Sequence, residues 1–431
     1  MSFFTDLAHQ YIDGEWRPGK GSWDIIDFNP FNGEKLASIP VATAEEVDQA
    51  YRAAERAQQA WADTNPYARR TVLEKALRIV EEREPQIAEA IVAELGGTHL
   101  KAGFELHLAK EFLREAIQLA LRPAGQILPS PTEGKENRVY RVPVGVVGVI
   151  SPFNFPFLLS LKSVAPALAL GNAVVLKPHQ NTPICGGTLL AKVFEDAGLP
   201  AGLLNVVVTD IAEIGDTLLE HPVPQVISFT GSDKVGRHVA TVCAANLKRA
   251  VLELGGNSAL IVLDDADVDY AVDAAVFSRY VHQGQVCMAA NRILVDRAIE
   301  EEFTEKFVAK VASLTVGDPA DPATQIGPLI NSSQAESISR LVDQTVEAGA
   351  TALLHGRADG NLVSPSVLTG LAPTRPSSSR RSSARSPCSS PSTARTRPSA
   401  SPTTPRTGSA APSTPPTSSA ACGSGSASTP A

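Results

Sequence analysis

The stretch Val142-Pro-Val-Gly-Val-Val-Gly-Val-Ile-Ser-Pro-Phe-Asn-Phe-Pro156 reads as an apolar strand, Val142 to Ile150, running into a loop bracketed by prolines. A helical stretch, Leu158 to Leu170, follows it, and a second apolar strand, Ala173 to Lys177, follows that. The pattern repeats. A helix from Cys185 to Ala197 is followed by strands Leu204 to Val208 and Gln225 to Phe229, each with a helix after it. Strand and helix in alternation predict a parallel, doubly wound α/β sheet. No Gly-x-Gly-x-x-Gly fingerprint accompanies it, so the pattern alone does not name a dinucleotide.

Upstream, residues 11 to 40 mix short apolar groups with Gly, Pro and Asn, as strands joined by turns do. Thr43-Ala-Glu-Glu46 offers a capping box. Val47, Tyr51, Ala54, Ala57 and Trp61 then fall at helical spacing, and helical sequence continues to about Leu121. Residues 122 to 138, rich in Pro and Gly and then charged, read as an excursion from the main sheet. Downstream of Gly256 a second α/β unit is expected: strand Ala259 to Leu263, helix Asp267 to His282, strand Arg292 to Val295 and helix Ile299 to Leu314.

Four segments carry candidate chemistry. In Val281-His-Gln-Gly-Gln-Val-Cys-Met-Ala-Ala-Asn-Arg292 a glycine-bearing turn presents Cys287 as a nucleophile, although a lone intracellular cysteine is more often a small buried hydrophobe. In Val251-Leu-Glu-Leu-Gly-Gly-Asn257 an apolar strand carries Glu253 into a Gly255-Gly256 turn. A carboxylate buried between leucines is costly without a task, which marks Glu253 as a general base with a raised pKa. The proline-bracketed loop fixes Asn154 as a side-chain amide donor. Val226-Ile-Ser-Phe-Thr-Gly-Ser-Asp-Lys-Val-Gly236 is a strand entering a helix through Gly231 and Ser232, a geometry suited to a pyrophosphate or simply a tight turn.

Together and in this order, these segments resemble the NAD(P)-dependent aldehyde dehydrogenase superfamily, from about Tyr11 to about Leu371. His282-Gln-Gly-Gln with Ser151-Pro-Phe-Asn is most similar to the benzaldehyde and vanillin dehydrogenases. The resemblance implies oxidation of an aldehyde, aromatic in this branch, to a carboxylic acid. It implies that Cys287 forms the thiohemiacetal and thioester, that Asn154 and the Cys287 N–H hold the oxyanion, and that Glu253 activates the hydrolytic water. Lys177 matches the lysine on the adenosine ribose, and Ser151, Phe153, Gly231, Ser232, Gly236 and Gly255 fall in the cofactor-binding segments. Gln180 stands where many NAD-preferring members have Glu, which predicts NAD use with NADP tolerated. Phe153, Phe155 and Phe157 could line an aromatic pocket or belong to the core.

The resemblance also implies an organisation. Residues 1–121 and 139–254 form the cofactor domain, 122–138 a bridging hairpin for oligomerisation, and 255–371 an incomplete catalytic domain. From Ala372 to Ala431 every residue is Ala, Pro, Thr, Ser, Arg, Gly or Cys, a composition that reads as a disordered tail. A shifted reading frame in a GC-rich gene accounts for it more sharply. Codons for Glu-Glu-Ile-Phe-Gly-Pro-Val-Ala, read one base later, spell Arg380-Arg-Ser-Ser-Ala-Arg-Ser-Pro387, and a second motif gives Thr403 to Ser409 in the same way. The tail replaces the family's second glutamate and its oligomerisation strand. A homo-oligomer is therefore expected of the intact fold but not of this chain, and an inactive nucleotide-binding remnant is the alternative reading. Two others are a cysteine hydrolase pairing Cys287 with His282, and a CoA-acylating relative, against which Glu253 argues.

Composition narrows the partners. At 431 residues the chain can bury a large core in two or more domains. Residues 1 to 371 carry 31 basic against 46 acidic residues, a net of −15, which argues against nucleic acid or an anionic membrane. The five cysteines show no disulfide framework and no metal-ligand spacing, so no metal and a cytoplasmic location are expected. No signal peptide and no spanning segment are read, leaving a small-molecule aldehyde as the partner.

Overall fold

The computed structural model describes residues 3–370 and the pair Cys388–Ser389. Two antiparallel strands, β1 (Gln10–Ile12) and β2 (Glu15–Arg17), turn through Asp13 and Gly14, both with left-handed φ of 55° and 81°. Such a turn matches the twist of a two-residue hairpin, and glycine takes it without strain. A second hairpin pairs Asp24–Phe28 with Lys35–Pro40.

Four helices follow: Ala44–Asp63, Pro66–Glu82, Glu84–Leu95 and His99–Leu119. The capping box forms as expected, with the Thr43 side chain accepting from the Glu46 N–H and the Glu46 carboxylate accepting from the Thr43 N–H. Val47, Tyr51, Ala54 and Trp61 are buried on one helical stripe, and Ala57 packs against the same core half-buried.

The main sheet adds β3 (Val146–Ile150), β4 (Ala173–Lys177), β5 (Leu204–Val206), β6 (Pro224–Thr230) and β7 (Arg249–Glu253). Its order is β7-β6-β3-β4-β5-β1-β2, with β3 to β7 mutually parallel and β1 antiparallel to β5. Counting the parallel strands alone as 1 to 5, the order is 3-2-1-4-5. That is a doubly wound arrangement whose direction of winding reverses between β3 and β6. The apolar text of β3 and β4 suits strands covered on both faces, and all but Ile150 and Lys177 at their ends are buried.

Some boundaries differ from the sequence reading. The strand read from Val142 starts only at Val146, because Pro143 lacks a donor and Gly145 takes φ 109°. The helix read from Cys185 opens as a wide π turn, Ile184–Thr188, before Leu189–Asp196. Buried Glu94 accepts the N–H groups of Ile184 and Cys185, at 2.7 Å each, and holds that opening turn.

Within 122–138 a hairpin does form, pairing Gln126–Leu128 with Asn137–Val139, mostly exposed. A second sheet contains β8 (Ser258–Val262) and β9 (Ala290–Val295), parallel, then Cys388–Ser389, and then β11 (Val367–Thr369) paired with β10 (Thr351–Leu354). Helices Val268–Tyr280 and Glu300–Ala312 pack on it around Val262, Tyr280, Ile293, Phe303 and Phe307, a cluster separate from the larger one under the main sheet. Apart from Cys388–Ser389, the tail 372–431 and its reading as frame-shifted and disordered lie outside the described residues. Among the described residues no helix is long and apolar enough to cross a membrane, and no group of three or more His, Cys, Asp or Glu could hold a metal ion.

Candidate active site

The parallel register sets strand ends side by side: Ile150 pairs with Lys177 and with Phe229, and Thr230 with Glu253. Every candidate motif of the main sheet therefore leaves from its carboxyl edge, and the winding reversal between β3 and β6 opens the crevice there in which α/β folds take ligands.

After β3, the Ser151 N–H donates to the Lys177 carbonyl at 3.0 Å. The Ser160 hydroxyl lies 2.6 Å from both Ser151 Oγ and the Gly186 carbonyl, so this buried loop is stitched to the helix behind it. Asn154 is 8% exposed, and its Nδ2 donates to the Gln285 carbonyl at 2.8 Å. The loop from β3 is thereby bonded to the backbone two residues before Cys287. Pro156 starts the helix Pro156–Ala169, where its missing N–H costs nothing.

Cys287 sits exposed in a turn. The preceding helix stops at Tyr280 rather than His282, because His282, Gln283 and Gly284 all take left-handed φ, of 51°, 55° and 71°. Two non-glycine residues held there cost about 1–3 kcal/mol each, strain of a kind concentrated at functional sites. Cys185 and Cys243 are buried, and burial pushes both thiols up, which disfavours the reactive thiolate.

Glu253 ends β7. The expectation of a buried carboxylate is not met: its side chain is 56% exposed and pairs with Lys162 at 3.3 Å. Among the described residues β7 is the edge strand, bordered only by β6, and the leucines flanking Glu253 are themselves no more than half-buried. Beyond it the two glycines differ. A Cβ at Gly255 would meet only Asp233 Oδ1, at 3.5 Å, whereas one at Gly256 would stand 2.4 Å from the carbonyl oxygen of Cys287. The glutamate motif and the cysteine turn are thus in backbone contact. Buried Arg279 adds a second tie, donating to Asn291 Oδ1 at 2.9 Å while Asn291 Nδ2 donates to the Gly256 carbonyl at 3.2 Å.

On the crevice side, the Gly231 N–H donates to the Glu253 carbonyl at 3.0 Å, and Ser232 caps the helix Asp233–Ala245 through the Val235 N–H at 3.4 Å. Packing already accounts for two of the glycines: a Cβ at Gly231 would meet the Phe229 ring at 2.5 Å and one at Gly236 would meet Leu254 at 2.4 Å. Lys177 lies at the end of β4 with Nζ 3.3 Å from the Pro178 carbonyl. Burial pulls its ammonium below the ordinary lysine range, and Asp210 partly offsets this. His179, edge-on to Phe153 at 5.4 Å, is pushed down to about 4 by burial and by Lys177, and so is neutral at pH 7. Gln180 is exposed. Phe155 and Phe157 are buried and Phe153 half-buried, so the structure puts two of these three phenylalanines in the core.

The aldehyde dehydrogenase family profile matches residues 16–378. The chain belongs to the aldehyde dehydrogenase family. Among curated relatives of this family, a benzaldehyde dehydrogenase of Bacillus subtilis is 56% identical over 373 residues, spanning 86% of this chain and 77% of its own. A vanillin dehydrogenase of Corynebacterium glutamicum is 44% identical over 366 residues, 84% of this chain and 76% of its own. The crystal structure of an NAD-dependent benzaldehyde dehydrogenase from Corynebacterium glutamicum superposes with a TM-score of 0.85 at 42% identity, covering 89% of this chain and 84% of that one. The chain is accordingly an enzyme of aldehyde oxidation.

The sequence names Cys287, Asn154 and Glu253 as candidates, and the structure brings Asn154 to the backbone before Cys287 and the Glu253 motif against the Cys287 turn. Reading the sequence alone missed Gly256, Gln285 and Lys162, whose parts depend on contacts between segments far apart in the chain.

Proposed function

We propose that this protein oxidises an aromatic aldehyde of the benzaldehyde or vanillin type to its carboxylic acid, using NAD and tolerating NADP. The observation that carries the site is the Asn154 to Gln285 hydrogen bond, which brings an amide donor beside the exposed cysteine turn. The names of the relatives support the substrate class and the cofactor.

The Cys287 thiolate attacks the aldehyde carbonyl to give a thiohemiacetal. Asn154 Nδ2 has two hydrogens and spends one on Gln285, which leaves the other to donate to the developing oxyanion together with the Cys287 N–H. Bound NAD supplies the hydride acceptor. Hydride loss from the thiohemiacetal carbon to that acceptor would leave a thioester on Cys287. Glu253, oriented by Lys162, takes a proton from water as it attacks the thioester, releasing the acid and the thiolate.

The carboxyl edge of the sheet at the winding reversal suits a dinucleotide: the helix capped by Ser232 starts there and Lys177 ends a strand there, and Ser151, Phe153 and Gly255 follow or flank the same strand ends. Residues 1–121 and 139–254 then serve the cofactor, 122–138 bridge subunits in the intact fold, and 255–371 bear the nucleophile. Exposed Gln180 lacks the charge that would repel a 2′-phosphate. NADH formation with benzaldehyde tests the reading: Cys287→Ser is expected to abolish turnover while NAD still binds. Residual oxidation by that variant above background would remove Cys287 from its role, and activity confined to aliphatic aldehydes would overturn the substrate class.

A further inference from the structure

The helix His99–Leu119 carries a fully buried ion pair, Lys101 with Glu105, one helical turn apart. Ion pairs so deep contribute little net stability, since desolvation offsets their attraction. Their contacts here point elsewhere. Glu105 uses its other oxygen, Oε1, to accept the N–H of Leu158 at 3.0 Å. Leu158 lies in the first turn of the helix Pro156–Ala169, whose cap residue, Phe155, supplies no side-chain cap bond, so a carboxylate from another helix satisfies that orphan donor. The Lys101 ammonium sits over the Phe155 ring, 4.5 Å from its centroid. The same ring meets Phe104 edge-on at 6.4 Å and His282 edge-on at 5.7 Å.

The pair therefore grips both sides of the Asn154 to Gln285 bond. On one side it holds Phe155, immediately after Asn154, and Leu158, four residues after it. On the other, through Phe155, it braces His282 in the left-handed run that leads to Gln285 and Cys287. We propose that Lys101 and Glu105 are positioning residues for the oxyanion site: they touch neither substrate nor cofactor, and they set where the Asn154 amide stands relative to Cys287. This rests on the reading of Asn154 given above.

Removing one charge would strand the other in the core, so the test removes both. Lys101→Met with Glu105→Leu abolishes the pair and the cap, while Lys101→Met with Glu105→Gln keeps a carbonyl for Leu158. With benzaldehyde and NAD, and rates normalised to titrated Cys287, the first double variant is expected to lose roughly 30- to 100-fold in kcat with KM changed less than about threefold, the loss that a misplacement near 1 Å produces. The second is expected to recover about tenfold of it. Amide exchange at 285–287 rises in the first variant, a readout independent of turnover and available for any folded fraction. Asn154→Ala is measured in parallel. If it loses its activity while Lys101→Met/Glu105→Leu keeps kcat within threefold and leaves exchange at 285–287 unchanged, the positioning role is wrong and the site stands. If Asn154→Ala itself turns over normally, the reading of Asn154 fails and the positioning role with it.

Discussion

Gly256→Ala should cripple catalysis with little effect on folding of the main sheet. A methyl placed there would lie 2.4 Å from the Cys287 carbonyl oxygen, about 0.6 Å inside the 3.0 Å that real contacts respect and about 1 Å inside ordinary contact. Both partners are backbone, so no side-chain rotation relieves the overlap. The Cys287 turn must move by about that distance, and its Sγ and N–H move with it. A displacement near 1 Å at a reacting centre costs about 100-fold in rate, or about 2.7 kcal/mol of barrier. Gly317→Ala, at a glycine with no part in the proposed site, is the internal control, since its methyl would meet Thr324 Oγ1 at an ordinary 3.6 Å. Steady-state kinetics with benzaldehyde and NAD, together with the alkylation rate of Cys287 by iodoacetamide, read the effect. The expected result is a fall of about two decades in kcat for Gly256→Ala and less than about threefold for Gly317→Ala. Equal losses in the two variants, or a Gly256→Ala enzyme within twofold of the parent, would refute the steric argument.

Asn154→Ala should lower kcat by about 10²- to 10³-fold with a smaller change in KM, because the lost donor acts on charge that develops only in the transition state; equal effects on both parameters would mean the amide binds ground state and transition state alike. Gln180→Glu should reduce kcat/KM for NADP by about tenfold, the size of a surface repulsion of 1–2 kcal/mol, and leave NAD within twofold, which a cofactor titration of the two proteins decides. Buried Asp27 lies against Glu94; burial and the neighbouring carboxylate push Asp27 well above the usual range, and burial raises Glu94 from 4.5 to about 7. Raised acids favour the protonated folded state, so their stabilisation is complete below about pH 4 and is lost as pH climbs through their folded values. Asp27→Asn replaces the shared proton by a permanent amide donor to Glu94. Its Tm should therefore decline less than the parent's between pH 5 and 8, and parallel melting profiles would count against the shared proton.

The candidate chemical parts could be named from the residues because each candidate motif is local. The Asn154 loop, the glutamate strand and the cysteine turn are each a short run of residues, and strands as apolar as Ala173–Lys177 leave no other place for themselves than a buried parallel sheet. The capping box at Thr43 likewise needs only residues three apart. The tertiary structure decided what depends on neighbours from elsewhere in the chain. Glu253 reads as buried from its flanking leucines, yet it is exposed because β7 ended up at the edge of the sheet. Gly231 and Gly236 read as phosphate glycines, and the structure adds that a Cβ at either would press on the Phe229 ring or the Leu254 side chain. Gly256, Gln285, Lys101 and Glu105 carry no signal of their own in the text. Their partners lie between 31 and 131 residues away for Gly256, Gln285 and Glu105, and close approach over such separations comes from packing the helices and crossing the strands, which no local pattern encodes.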